Sequence, residues 1–399
     1  MEVIAGGSIT SPRGFQAGAT AAGIKKADLD LCIVASDRPA LAAGVFTTNK
    51  VKAAPVYLCQ EHLRNGRARA VVVNSGNANA CTHERGAADA FEMAKLTAEK
   101  LDIPPTEVLV ASTGVIGVHL PMEKVRAGIE AIQLSSDGGP TAARAIMTTD
   151  TRPKTCAVRI CVGECTVTIG GMAKGAGMIH PNMATLLSFI ATDAAVADAG
   201  FLRSCLAEAA DNSFNMVSVD GDTSTNDTLI LIANGAAGNE PLRAGTPAAA
   251  AFQAGLSYVA TELAKAVARD GEGATKLIEV RVRGAATRED ARKAARAVAS
   301  SNLMKAAVYG ADPNWGRILC AVGYSGAEVD QAATDIAIGE VQLMKSGNIL
   351  PFDKRAASAQ LAGPDVFIYV DLHLGGAEAI AWGCDLTEAY VDINAKYTT

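Results

Sequence analysis

The chain of 399 residues is poor in aromatic residues, which make up 5% of the total, and no apolar run approaches the length of a membrane span. Its first residues, MEVIAGGSITSPRGF, lack the basic segment and the long apolar segment of a signal peptide. The net charge is -6, so no excess of basic residues favours nucleic acid. We therefore expect a cytoplasmic enzyme that binds neither membranes nor nucleic acid.

Familiar catalytic and cofactor-binding motifs are also missing. The sequence contains neither G-x-S-x-G nor a Walker A motif, and its two G-x-G pairs, at 175–177 and 271–273, do not complete G-x-G-x-x-G. The five histidines stand far apart, without the H-x-x-x-H spacing of a zinc site. These absences predict no dinucleotide cofactor and no metal, although a Ser-His-Asp triad could still assemble in three dimensions.

The nine cysteines include no C-x-x-C pair, and we expect them to be reduced and mostly buried. Cys156, Cys161 and Cys165 lie close together in CAVRICVGECTVTIG. The β-branched residues there indicate two strands around a turn at 163–164 rather than a metal site.

The length predicts two domains or one large two-lobed domain, and the composition is that of an ordinary globular protein. Strand-like runs occur at 29–35, 69–74, 107–113, 185–191, 227–233 and 276–284, and helical patterns at 83–101, 198–211, 247–269 and 287–299. The C-terminal runs VFIYVDLHLG, EAIAWGC and EAYVDINA follow one another through short turns, which predicts an antiparallel meander. We expect an α/β (α+β) fold with mixed or antiparallel sheets flanked by helices, and the loop 174–185 as the domain boundary.

The segment SVDGDTSTND (218–227) is rich in aspartate and hydroxyl side chains. It lacks the distal glutamate of a calcium-binding loop. We interpret it as a turn-rich connection whose side chains cap its own backbone.

Thr185 stands at the end of the loop KGAGMIHPNMAT (174–185) and at the start of an apolar run, where it could simply begin a strand. The glycines and Pro181 allow such a loop to present one peptide bond in an unusual conformation. If the Thr185 hydroxyl cut the bond to Ala184, the new N-terminal amine would have a pKa of about 7.7–8.0. Threonine paired with its own amine is an activated nucleophile, which would explain the absence of a histidine constellation.

Acyl transfer also requires donors for the developing oxyanion. The segment ASTGVIG (111–117) follows a strand-like run and contains two suitable groups, the hydroxyl of Thr113 and the backbone N–H of Gly114. An ordinary glycine turn after a strand is the alternative interpretation.

Eight segments in order resemble the ornithine acetyltransferase (ArgJ) family of arginine biosynthesis, over essentially the whole chain. They are VVNSGNANACT, ASTGVIG, TTDT, KGAGMIHPNMATLLSFIATDA, SVDGDTSTND, DGEGATK, YGADPNWGRI and VDINAKYTT. The resemblance implies a fold like that of N-terminal-nucleophile hydrolases and of the self-processing aminopeptidase group. It also implies self-cleavage into an α chain (1–184) and a β chain (185–399), both retained, and an α2β2 assembly.

The implied reaction is a ping-pong transfer without a cofactor. N2-acetyl-L-ornithine acetylates Thr185, ornithine leaves, and L-glutamate takes the acetyl group to give N-acetylglutamate; some members also use acetyl-CoA as a donor. Carried over to this sequence, the oxyanion pair is Thr113 and Gly114, and the cut lies between Ala184 and Thr185. The substrate-binding positions are Thr148, Lys174, Thr185, Glu272, Asn394 and Thr399.

Two other functions fit part of the pattern. On the same fold, a self-processing amidohydrolase or aminopeptidase would pass the acyl group to water. A small-molecule-binding α/β protein with an intact chain would explain the glycine-rich loops but not their joint order.

Overall fold

A computed structural model of the chain describes residues 1–180 and 186–396. Three short 3-10 helices, at 63–65, 105–107 and 214–216, accompany the longer elements. The β-strands of the described residues are β1 (Glu2–Val3), β2 (Phe15–Thr20), β3 (Leu31–Ser36), β4 (Leu41–Phe46), β5 (Ala70–Asn77), β6 (Val108–Val115), β7 (Lys154–Val162), β8 (Cys165–Lys174), β9 (Leu187–Thr192), β10 (Val217–Ser218), β11 (Thr228–Ala233), β12 (Leu277–Ala285), β13 (Asp335–Ile338), β14 (Val341–Lys345), β15 (Asn348–Ile349), β16 (Asp365–Asp371) and β17 (Ala377–Cys384). The α-helices are α1 (Ala54–His62), α2 (His83–Leu101), α3 (Met122–Ala131), α4 (Gly139–Ala145), α5 (Ala199–Asn212), α6 (Pro247–Arg269), α7 (Arg288–Ser300), α8 (Asn302–Tyr309), α9 (Trp315–Tyr324), α10 (Lys354–Gln360) and α11 (Glu388–Lys396).

The strands form three sheets. A four-stranded sheet has the order β2-β3-β5-β6, a six-stranded sheet the order β1-β7-β8-β9-β11-β4, and a seven-stranded sheet the order β10-β17-β12-β16-β13-β14-β15. Each sheet contains both parallel and antiparallel pairs, such as β5 with β6 and β2 with β3 in the first. The prediction of an α/β fold with mixed sheets is confirmed.

Alternation along the central strands creates a layered core. In β3, Leu31 and Ile33 pack with helices α2 and α3, whereas Cys32 and Val34 face the six-stranded sheet. In β11, Ile230 faces the four-stranded sheet and its neighbours pack with helices α5 and α6. Because successive side chains of a strand point to opposite faces, these continuous apolar runs serve two core layers each.

The loop 174–185 does not separate two domains. Strands β8 and β9 on its two sides are antiparallel neighbours in the six-stranded sheet, with Lys174 opposite Leu187. The prediction of a domain boundary there is wrong, because the strands on both sides bury their apolar faces in the same two core layers. Residues 181–185 lie outside the described residues.

The prediction of an antiparallel C-terminal meander is also wrong. Strand β12 lies between β16 and β17, parallel to the first and antiparallel to the second. Residues 388–396 form α11 instead of a strand, with Glu388 in the first turn and an ion pair of 2.9 Å between Lys396 and Asp392. Both features stabilise a helix. The alternation of apolar residues in EAYVDINA predicted a strand instead.

The hairpin predicted around the turn at 163–164 is present, since β7 and β8 pair with Val162 opposite Cys165. All nine cysteines are free thiols. Only four of them are buried, because the β7–β8 hairpin, the loop before α2 and the surface of α9 carry the others, so the expectation of mostly buried cysteines is wrong. No helix among the described residues is long and apolar enough to cross a lipid bilayer.

Candidate functional site

A cavity of about 180 Å³ lies where the ends of β6, β8 and β9 meet the loops before β11 and β12. We call it the central cavity. Its walls contain six of the residues predicted for the site, from five separate parts of the chain: Thr113, Gly114, Thr148, Lys174, Glu272 and Asn394. Leu186, which follows Thr185 in the sequence, also lines it. Ala184, Thr185 and Thr399 were also predicted for the site, and they lie outside the described residues.

Gly114 is constrained by its close approach to β5. Its φ is +133°, and a Cβ atom there would lie 2.3 Å from the carbonyl carbon of Gly76 and 2.5 Å from the nitrogen of Asn77. Asn226 fixes the same region, because its Nδ2 donates to the carbonyl oxygens of Ala78 (2.6 Å) and Ser112 (2.8 Å). Only glycine fits position 114, so the segment ASTGVIG is more specific than an ordinary turn after a strand.

Lys174 is the buried cation of the cavity wall, with 8% of its surface exposed. Its Nζ donates to the hydroxyl oxygens of Thr148 (2.8 Å) and Thr113 (3.1 Å). Burial lowers the pKa of Lys174, and the nearby Asp150 carboxylate opposes this shift. These two hydrogen bonds connect three of the predicted site residues through Lys174.

Behind Lys174 lies a buried ion network. Lys154, at the start of β7, donates to Asp150 (2.6 Å) and to Asp270 (2.5 Å). Asp150 also accepts the backbone N–H groups of Thr148 (3.0 Å) and Gly175 (2.7 Å). Burial would raise the pKa of Asp150, but the charges of Lys174 and Lys154 and the hydrogen bonds outweigh it and hold this pKa at about 2. The network ties three segments of the cavity wall together.

Glu272 supplies a carboxylate to the cavity wall. A Cβ atom at Gly177 would lie 2.5 Å from the Glu272 carboxyl group, so the two segments are in close contact. The Glu272 backbone N–H donates to the carbonyl of Ala176 (2.9 Å), and Asn394 Nδ2 donates to Glu272 Oε2 (2.8 Å). This last bond attaches helix α11 to the cavity.

His180 is the last described residue before the gap at 181–185. Its Nδ1 lies 3.0 Å from the Ser218 hydroxyl and its Nε2 lies 3.1 Å from a guanidinium nitrogen of Arg296. Burial and the Arg296 charge lower the pKa of His180 to about 4. A neutral imidazole can accept the Arg296 hydrogen bond, and a protonated one cannot.

The segment 218–227 caps its own backbone only in part. The N–H of Asp222 donates to Asp220 (3.1 Å), as expected. Asp220 and Asp227, however, also accept backbone N–H groups from the loop on either side of the gap, at Met178 (2.6 Å) and Leu186 (2.7 Å). The interpretation of this segment as a self-capping connection is therefore incomplete.

Sequence reasoning missed four buried polar residues of this region: Asp150, Lys154, Asp227 and Asp270. Asp150, Asp227 and Asp270 stand within the quoted segments TTDT, SVDGDTSTND and DGEGATK, and those motifs were the available signal. Lys154 and Asp270 are 116 residues apart, so no local pattern pairs them.

The central cavity thus combines hydroxyl donors and a closely packed glycine with a buried ammonium group and carboxylates. Such a set can bind a ligand that carries charges of both signs and can stabilise a developing negative charge. Among the described residues, no group of three or more His, Cys, Asp or Glu side chains is placed to hold a metal ion.

Comparisons with known proteins agree with the motifs. The sequence model of the ArgJ family matches residues 16–399. The arginine biosynthesis bifunctional protein ArgJ of Symbiobacterium thermophilum is 57% identical, with 100% of both chains covered, and that of Dehalococcoides mccartyi is 53% identical, covering 100% of this chain and 99% of the relative. The crystal structure of an arginine biosynthesis bifunctional protein from Bacillus halodurans is 48% identical with a TM-score of 0.51, covering 52% of this chain and 98% of the solved chain. The chain belongs to the ArgJ family.

Proposed function

We propose that the protein is a glutamate N-acetyltransferase (ornithine acetyltransferase) of arginine biosynthesis. It transfers the acetyl group from N2-acetyl-L-ornithine to L-glutamate through an acetyl-Thr185 intermediate. The observation that carries the proposal is the convergence of Thr113, Gly114, Thr148, Lys174, Glu272 and Asn394 on the central cavity, beside the residue that follows Thr185. The names of the relatives, arginine biosynthesis bifunctional proteins, support the pathway.

Maturation begins with self-cleavage. The Thr185 hydroxyl attacks the carbonyl of Ala184, the amide becomes an ester, and water hydrolyses the ester to leave residues 1–184 and 185–399 as two chains. Two observations support this. The solved Bacillus halodurans chain corresponds to only 52% of this chain, so it is roughly half as long. Strands β8 and β9 are paired along six positions, which would keep the two products together.

In the transfer reaction, the new amine of Thr185 takes the proton of its own hydroxyl while the oxygen attacks the acetyl carbonyl. The Thr113 hydroxyl and the Gly114 N–H stabilise the tetrahedral oxyanion. The amine then returns the proton to the departing ornithine nitrogen. In the second half-reaction the α-amine of glutamate attacks the acetyl ester and the same groups act in reverse order.

The polar walls of the central cavity match the substrates. The Lys174 ammonium group can pair with a substrate carboxylate, and Glu272 with the ammonium group of the acetyl donor. Lys174 reaches both Thr113 and Thr148, so the group that binds the substrate is hydrogen-bonded to the oxyanion donor. Thr148, Asn394 and Thr399 complete the proposed contacts.

Use of acetyl-CoA as a second acetyl donor is part of the proposal, because the relatives are called bifunctional. So are the cytoplasmic location and the α2β2 assembly of the two chains. No cofactor is required, since the threonine and its own amine supply the nucleophile and the base.

A denaturing gel with intact-mass analysis tests the cut. The purified protein should give chains of 184 and 215 residues. The Thr185→Ala variant should remain a single chain without acetyltransferase activity, whereas Thr166→Ala, an exposed threonine at the far end of β8, should be cut and active. An uncut wild-type chain, or a cut and active Thr185→Ala variant, would contradict the proposed nucleophile.

Ornithine release then separates a transferase from a hydrolase. With N2-acetyl-L-ornithine as donor, glutamate should raise the steady rate of release many-fold, because it accepts the acetyl group. Equal release with and without glutamate would identify the self-processing amidohydrolase instead. Replacing the donor by acetyl-CoA tests the second activity.

A further inference from the structure

Asp227 lies in the wall of the central cavity, immediately before β11, with 1% of its surface exposed. Its Oδ1 accepts the backbone N–H of Leu186 at 2.7 Å. No role for Asp227 follows from the transfer chemistry above. Its contact nevertheless falls on the residue that directly follows the proposed nucleophile in the sequence.

The backbone of Leu186 is unusual. Its φ is +72°, a conformation that leucine rarely adopts because its Cβ crowds the backbone. The carbonyl oxygen of Leu186 accepts the N–H of Thr228 at 2.8 Å, so consecutive residues 227 and 228 hold both polar groups of this residue. A strained conformation of this kind persists only where the surroundings fix it.

The two carboxylate oxygens of Asp227 differ in their hydrogen bonding. Oδ2 is buried and has no hydrogen-bond partner within residues 1–180 and 186–396. Burial raises the pKa of Asp227 well above its usual range, although the hydrogen bond from Leu186 and the charge of Lys174 oppose the shift. Burying a carboxylate that accepts few hydrogen bonds is costly, so stability alone does not account for Asp227.

Asp193, at the other end of β9, provides the contrast. It is also fully buried, but both of its oxygens are used: Oδ1 accepts the N–H of Thr168 (2.7 Å) and Oδ2 contacts Arg13. Asp193 therefore has the contacts of a purely structural carboxylate. Asp227 does not.

We propose that Asp227 is a positioning residue for Thr185. The N–H that it holds belongs to the planar peptide group shared by residues 185 and 186. By fixing that group, Asp227 sets the direction in which the threonine hydroxyl approaches the bond to be cut, and later the acetyl carbonyl. The inference rests on the proposed function, since it requires Thr185 to be the nucleophile.

The test follows self-cleavage during cell-free synthesis, with the fraction of cut chain read from a denaturing gel over time. Asp227→Ala removes the acceptor and should slow the cut about 10- to 100-fold, the range for leaving a buried backbone N–H group without a hydrogen-bond acceptor. Asp227→Asn keeps an oxygen that can accept from Leu186 and should stay within about threefold of the wild type. Asp193→Asn is the matched control and should be cut at the wild-type rate.

A second measurement uses the mature variants after complete cleavage, with the folded fraction determined by thermal unfolding. For the folded Asp227→Ala enzyme, kcat should fall at least about tenfold while KM for N2-acetyl-L-ornithine changes less than about twofold. A merely structural role would reduce the folded fraction and leave kcat per folded molecule unchanged.

The outcomes separate the two proposals. Wild-type cleavage together with an unimpaired Asp227→Ala variant overturns the role of Asp227 and leaves the proposed function intact. An Asp227→Asn variant as slow as Asp227→Ala also overturns it, because a hydrogen-bond acceptor would then not suffice. A wild-type chain that remains uncut overturns both.

Discussion

Two concave regions of the molecule differ in size and in chemistry. The central cavity measures about 180 Å³, whereas a depression of about 790 Å³ lies over strands β12, β13, β16 and β17 of the seven-stranded sheet. We call the larger one the sheet depression. It contains ion pairs at the surface, such as Arg283 with Asp371 (2.6 Å), in which the arginine is 74% exposed. The central cavity is instead lined by the buried Lys174, and behind it lie buried charges connected by hydrogen bonds.

The two regions differ in buried charge in the opposite sense to their volumes. Burying a charge is costly unless it is paired, so buried ions are found where geometry must be fixed. Surface pairs contribute little, because water screens them and their side chains lose entropy. Perturbing each region in turn should therefore give very unequal results.

The largest effect on stability is expected for Lys154→Met. The substitution leaves Asp150 and Asp270 buried without their shared cation, which should cost about 3–5 kcal/mol of unfolding free energy. Denaturant unfolding measures it best in the Thr185→Ala background, where we expect a single uncut chain. Lys95→Met, which removes an exposed i,i+4 pair with Glu99, should cost less than about 1 kcal/mol. Similar losses of unfolding free energy for the two variants would mean that the buried network stabilises the fold no more than a surface pair does.

Among the residues that the structure describes, Gly114 should have the largest effect on catalysis when it is replaced by alanine. The added Cβ would collide with the backbone at Gly76, so the N–H of residue 114 should move away from the oxyanion. Loss of one such donor lowers kcat by about 100- to 1000-fold, with KM little changed. Gly117→Ala is the matched control in the same segment, since φ is also positive there but no atom lies within 4 Å of the added carbon. A Gly114→Ala enzyme with normal kcat would exclude the proposed oxyanion role.

His180 should make stability depend on pH. Its folded-state pKa of about 4 lies below the ordinary value of 6.5, so between these values the unfolded chain binds a proton that the folded chain does not. Stability should therefore fall as pH decreases from about 6.5 to 4. Ser218, Arg296, Asp222 and Lys305 are the groups that face the imidazole or act on its charge.

Thermal unfolding between pH 7 and 4, again in the Thr185→Ala background, measures this dependence. The His180→Gln variant should lose the part of the slope between about pH 6.5 and 4, while His83→Gln, at an exposed histidine, should keep it. Identical slopes with and without His180→Gln in this background would show that the histidine does not remain neutral in the fold.

Local patterns predicted the elements that local forces determine. Helices α2 and α6 have the predicted bounds, and β3 and β11 coincide with continuous apolar runs. The insertion of β12 between β16 and β17 depends on pairing between distant segments, which a local pattern does not encode. The same limit applies to the site. The family motifs pointed to Lys174 and Glu272, but the contact of Lys154 with Asp270 exists only in the folded chain.

The smallest effect is expected in the sheet depression. Arg283→Ala removes a surface ion pair with Asp371, and such pairs contribute about 0–1 kcal/mol. The substitution should leave the cut, kcat and KM unchanged, because none of the proposed catalytic or substrate-binding residues among the described part of the chain lies in that depression. Steady-state kinetics with N2-acetyl-L-ornithine and glutamate, compared with the Gly114→Ala enzyme, measures the contrast directly. A loss of activity in Arg283→Ala as large as that in Gly114→Ala would make the sheet depression part of the functional site, and buried charge would then no longer distinguish the two regions.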